Sequence, residues 1–143
     1  MSNKIKILFI LPSLKAGGAE RVVSNLARTI DRNYFSTKLI IVGFEKDTVY
    51  NTEDIEVVYL NKSRVLKSVI PLFNLIKNEK PNIVMSSIGH VNLIMAIFSF
   101  FFTKCKFIGR QASVVSEISN FTKSKSIHLP RWLTAILYRR LDM

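Results

Sequence analysis

The chain has 143 residues, 48% hydrophobic and 22% charged, with 5 Gly, 4 Pro and a mean hydropathy of +0.22. That is the size and make-up of one globular domain, and it excludes intrinsic disorder, collagen and low-complexity tracts. Against 10 acidic side chains stand 21 basic ones, a net charge of +11, and a single cysteine with two distant histidines excludes a disulfide framework and a zinc finger.

The charge excess is lopsided. Residues 1–56 hold 8 basic and 7 acidic groups, whereas residues 57–143 hold 13 and 3. The second part is an electropositive surface suited to phosphates, nucleic acid or anionic headgroups.

In chain order, Lys4–Leu11 (KIKILFIL) is a continuous apolar run closed by Pro12, which predicts a strand buried on both faces. Lysines before a short apolar run mimic a signal peptide, but the run is too short and Lys15 stands where small residues belong, so a cytoplasmic chain is expected. Ala19–Ile30 places Val22, Val23, Leu26, Ala27 and Ile30 at helical spacing. Lys38–Val42 and Ile55–Leu60 read as strands on either side of the polar loop Glu45–Asp54. A helix follows over Arg64–Asn78, with Pro71 kinking or delaying it, and then a strand over Asn82–Ser86. Val91–Phe102 predicts an internal helix; its apolar core Leu93–Phe102 is ten residues, short of the roughly 20 that span a bilayer. Lys106–Gly109 is a fifth strand, Ser113–His128 a polar loop, and Arg131–Leu141 a closing helix.

Alternating strands and helices with short connections predict an α/β, Rossmann-like parallel sheet with helices on both faces. Ligands in such folds bind beyond the carboxyl ends of the strands, which directs attention to the turns Pro12–Gly18, Ser87–His90 and Arg110–Ser113. Gly17 and Gly18 sit between first strand and first helix, where they either bring backbone N–H groups close to a phosphate or serve a tight turn needing positive φ. Neither GxGxxG nor GxxxxGK[ST] is present. Glu20 falls in the first helical turn, where the dipole favours a carboxylate whatever the function.

The opening KIKILFILPSLKAGGAERVVSNLAR resembles the N-terminus of family 4 glycosyltransferases, enzymes of the two-domain GT-B fold; EKPNIVMSS at Glu79–Ser87 and KFIGRQAS at Lys106–Ser113 match the family's later strands in order and spacing. Asn82 replaces the usual Asp of the second motif. The resemblance spans the chain but only the N-terminal half of the family's enzyme. It therefore implies an acceptor-side domain over residues 1–143 without the C-terminal donor-binding domain: a truncated protein or one subunit of a split enzyme.

The resemblance further implies a glycosyltransferase, inactive alone, that moves a sugar from a nucleotide-sugar to a lipid-linked acceptor in polysaccharide or glycolipid assembly. No metal or other cofactor is implied. Gly17 and Gly18 match the glycines that approach the donor diphosphate; Arg110 and Gln111 occupy the turn where relatives carry a histidine, and His90, in the neighbouring turn, is either an imidazole for the reacting centre or a solvated surface residue. Gln111 orients a hydroxyl but exchanges no proton at neutral pH. The alternative is a non-catalytic, membrane-docking subunit that presents the acceptor and recruits a donor-binding partner. Arg64, Lys67, Arg131, Arg139 and Arg140 lie on cationic, apolar-striped segments suited to the inner, anionic face of a membrane, while nucleic acid is not expected because the aromatics are not displayed between the charges.

Overall fold

The computed structural model describes residues 4–110. Its strands are β1 (Ile5–Leu11), β2 (Phe35–Ile41), β3 (Glu56–Tyr59), β4 (Ile83–Ser87) and β5 (Lys106–Arg110), and its α-helices α1 (Gly18–Thr29), α2 (Val69–Glu79) and α3 (Gly89–Phe98). All strand pairs are parallel, in the order β3-β2-β1-β4-β5. β1 is central: it pairs with β2 from Ile5↔Phe35 to Leu11↔Ile41 and with β4 from Ile7↔Ile83 to Ile10↔Ser86. The period of two in a strand sends its side chains alternately into two cores. Leu8 and Ile10 join Ile40, Leu72, Ile76, Val84 and Met95 beneath α2 and α3. Ile7, Phe9 and Leu11 meet Val23, Ala27, Leu39 and Ile41 beneath α1.

The expected elements are present with shifted ends. β2 starts at Phe35, three residues before the apolar run, because Phe35 already pairs with Ile5. The segment expected as one helix from Arg64 divides into a 3₁₀ turn, Val65–Ser68, and α2. Pro71 falls in the first turn of α2, where its missing N–H has no intrahelical acceptor to lose, so it delays the helix without kinking it. The helix expected over Val91–Phe102 begins at Gly89 and ends at Phe98; beyond it the Ser99 hydroxyl donates to the Ala96 carbonyl and the chain continues in turns. The loop Ser113–His128 and the helix Arg131–Leu141 lie outside the described residues.

At the amino-terminal end of the sheet the apolar core is closed by an ionic cluster. Lys38 Nζ donates to Glu79 Oε1 at 2.6 Å and pairs with Glu56 Oε1 at 2.7 Å, while Lys6 Nζ binds Glu79 Oε2 and the Glu79 carbonyl. Hydrogen bonds first from Lys38 and then from Lys6 hold the Glu79 carboxyl below the ordinary carboxylate range, and bonds to Glu56 and then Glu79 raise the Lys38 ammonium. A lowered carboxyl stabilises the fold fully above its unfolded pKa and loses that contribution as pH falls through the folded value; the raised ammonium contributes below its unfolded pKa and is lost as pH climbs through the folded one. Glu79→Gln therefore lowers stability at pH 7 by about 1–2 kcal/mol, and the deficit vanishes in acid as the wild-type carboxyl protonates. Urea denaturation at pH 7 and pH 3 measures both.

Candidate functional site

The strand order places β2 and β3 on one side of β1 and β4 and β5 on the other. Connections from β1 and from β4 thus leave in opposite directions, and the crevice between their carboxyl ends is the topological switch point where open α/β sheets bind ligands. Register puts three ends at one level. Ile10 pairs with Ser86 and Ser87 pairs with Arg110, so Leu11, Ser87 and Arg110 terminate β1, β4 and β5 side by side. Three turns the sequence singles out therefore lead to one edge of the sheet.

The turn after β1 is fixed by a residue far along the chain. The Tyr50 hydroxyl accepts from Gly17 N at 2.9 Å and donates to Gly17 O at 2.7 Å, and Val49 N donates to Leu14 O. Gly17, the N-cap of α1, is extended at φ −159, and no described glycine has positive φ, so the tight-turn account of the pair is corrected. A Cβ on Gly17 would run into the Glu20 carboxylate, whereas Gly18 has nothing within 4 Å of a built Cβ. The first helical bond runs from Arg21 N to Gly17 O, which leaves the N–H groups of Gly18, Ala19 and Glu20 outside the ladder, with no side-chain cap. The Gly17 N–H is engaged by Tyr50; Gly18 is exposed.

The second turn is strained. Ile88, between β4 and α3, has φ 79 and ψ 131, a conformation that a β-branched side chain adopts at a cost of about 1–3 kcal/mol. Its carbonyl accepts the first bonds of α3 from Val91 N and Asn92 N. Asn92 is wholly buried and ties the three elements together: its Oδ1 accepts from Ser86 Oγ at 2.8 Å, and its Nδ2 donates to the Arg110 carbonyl at 3.0 Å. His90, in the first turn of α3, is exposed.

Two polar atoms remain unpaired at the same edge. Among the described residues, the buried side-chain nitrogens and oxygens without a hydrogen-bond partner are Ser87 Oγ and one terminal guanidinium nitrogen of Arg110. Ser87 is fully buried, and the two residues are register partners. Burying such groups unpaired costs about 1–3 kcal/mol each. Gln111, Arg131, Arg139 and Arg140 lie outside the described residues. Arg64 and Lys67 are exposed near the 3₁₀ turn leading into α2. Burial pushes the Cys105 thiol up to about 11, leaving little nucleophilic thiolate at neutral pH. No group of three or more His, Cys, Asp or Glu side chains suited to a metal ion occurs among the described residues.

No known family pattern and no curated protein matches the chain. Solved structures do. A protein from Listeria monocytogenes described as a UDP-N-acetylglucosamine 2-epimerase matches 98% of this chain with a TM-score of 0.66 at 15% identity. A glycosyltransferase from Rickettsia africae matches 85% of it with a TM-score of 0.54 at 20% identity. The UDP-GlcNAc 2-epimerase of Neisseria meningitidis, solved with UDP-GlcNAc bound, matches 94% with a TM-score of 0.59 at 14% identity. The chain carries a GT-B half-fold. It spans 34–38% of the length of these three proteins, and at such identities the likeness is one of fold.

Missed from sequence were Tyr50 and Asn92, and Ser87 was marked only as the start of a turn. A lone Asn inside an apolar helix and a Ser-Ser pair ending an apolar strand were the available signals; Tyr50 gives none, because its partner is 33 residues away. Tyr50→Phe removes both bonds to Gly17 and lowers stability by about 1–2 kcal/mol. It also speeds hydrogen exchange of the Gly17 amide, which separates a loosened turn from general unfolding.

Proposed function

We propose that the chain is the N-terminal, acceptor-side domain of a GT-B glycosyltransferase of the family 4 type, moving a sugar from a nucleotide-sugar to an acceptor hydroxyl in polysaccharide or glycolipid assembly. The observation that carries this reading is the pair of unpartnered buried atoms, Ser87 Oγ and an Arg110 guanidinium nitrogen, at the carboxyl edge beside the switch point. A cation and a hydroxyl left without internal partners, level with a helix start whose N–H groups are uncapped, suit a doubly negative diphosphate. The GGAER turn supports the same reading, as does the glycosyltransferase among the fold neighbours. Two neighbours are described as UDP-GlcNAc 2-epimerases, one with UDP-GlcNAc bound, which supports a nucleotide-sugar as the donor. The non-catalytic docking subunit is less favoured, since the matched proteins are named as enzymes.

In this role the backbone at Gly18, open on its outer side, lets the diphosphate approach, Arg110 offsets its charge, and Ser87 accepts or donates one hydrogen bond. His90 and Gln111 remain the candidates for orienting the acceptor hydroxyl. Transfer in this role requires a donor-binding half.

Gly18→Val, combined with the donor-binding half, lowers transfer about tenfold or more while Tm stays within about 2 °C, because a Cβ at this exposed position meets nothing within 4 Å. Arg110→Met lowers transfer similarly without loss of stability, since it replaces an unpaired buried cation by an apolar chain of similar reach. Unfolding of either variant, or unchanged turnover, overturns the assignment.

A further inference from the structure

The opposite end of the sheet presents a second surface, independent of sugar chemistry. Where α2 ends and the chain turns from α3 into β5, a cleft of about 480 Å³ opens between Lys77, Lys80 and Lys104, with Phe101 on its wall. All three lysines are exposed, and none forms an ion pair among the described residues. Residues 57–110 contain one acid, Glu79, and Lys6 and Lys38 hold its carboxylate against the sheet. Among the described residues these lysines therefore have no counter-charge.

The same face carries apolar side chains turned to water. Ile70 is 73% exposed, Phe101 67% and Ile97 41%. The Phe101 ring meets Phe73 edge-on, with centroids 5.9 Å apart, and Phe73 in turn packs on Phe98 and Phe102. Phe101 thus projects from a rigid aromatic base. Ile70 lies at the start of α2, Ile97 in the last turn of α3 and Phe101 in the turns that follow, all three exposed on the side of the sheet that α2 and α3 cover.

We infer that this α2–α3 face docks on an anionic phospholipid bilayer, with Phe101, Ile70 and Ile97 entering the headgroup–acyl boundary and Lys77, Lys80 and Lys104 engaging phosphates. Cations rimming protruding apolar groups complement that layered chemistry, negative outside and apolar beneath. A nucleic acid would satisfy the lysines but leave Ile70 and Ile97 facing a charged polymer, with no run of aromatic platforms for bases. None of the described helices is long and apolar enough to cross a membrane, so the attachment is peripheral. This places the lipid contact on Lys77, Lys80 and Lys104.

Co-sedimentation of the full chain with phosphatidylglycerol/phosphatidylcholine vesicles and with phosphatidylcholine alone, at low and high salt, tests the inference. Binding is expected to anionic vesicles and to weaken as salt rises. Lys77→Glu with Lys104→Glu lowers the partition coefficient about tenfold or more, and the charge-matched pair Lys4→Glu with Lys46→Glu by less than about twofold. Ile70→Ser, at the most exposed position, lowers binding severalfold at low salt, and Phe101→Ser does so further; equal circular-dichroism melts exclude unfolding. Equal losses from the two lysine pairs, equal binding to neutral vesicles, no vesicle binding, or binding to an oligonucleotide but not to vesicles would each overturn it.

Discussion

The architecture hangs on β1. Only a strand hydrogen-bonded along both edges and apolar on both faces can feed two cores at once, and Ile7–Leu11 does so with five consecutive buried side chains. Because β2 lies on one side of it and β4 on the other, connections at its carboxyl end diverge, and a crevice follows from topology before any polar side chain is placed. The site is thus a by-product of the chain doubling back across its central strand between β3 and β4.

Polar chemistry is divided between the two ends of the sheet. At the amino end every strong charge near the core is matched: Glu79 faces two lysines, and Lys38 two carboxylates. At the carboxyl end the matching stops at Asn92, which satisfies Ser86 and the Arg110 backbone but not the Arg110 side chain or Ser87. The Lys6–Lys38–Glu56–Glu79 cluster at one end is internally paired and stabilising; the other end retains unspent hydrogen-bonding capacity in the place where an open sheet receives ligands. That contrast gives the carboxyl edge a chemical meaning the fold alone would not.

Much of this was legible in the sequence. Continuous apolar runs marked β1, β2 and β4, since strands buried on both faces need no alternation. Element ends were less legible, because they depend on partners: β2 reaches back to Phe35 to pair with Ile5, and α3 starts at Gly89 because the Ile88 carbonyl offers the first acceptors. Of the site, the glycine pair and Arg110 stood out as turn residues following strands. Ser87 stood out only as the start of a turn and Asn92 not at all, because their significance lies in contacts between elements, and Ile88 offered no hint of a left-handed conformation that its branched side chain disfavours.

The clasp between Tyr50 and Gly17 makes the shape of the first turn a non-local property. A fragment ending at Ile41 would contain β1, α1, β2 and both glycines, yet it would lack the hydroxyl that holds the Gly17 peptide from both sides. During synthesis the turn reaches its final geometry only after the polar connection beyond β2 has emerged and folded back over it. The acidic stretch around residues 45–54, unremarkable in composition, is therefore a latch. It constrains how that stretch can be shortened, lengthened or exchanged, and minimal versions of this turn built as peptides must supply a substitute for residue 50.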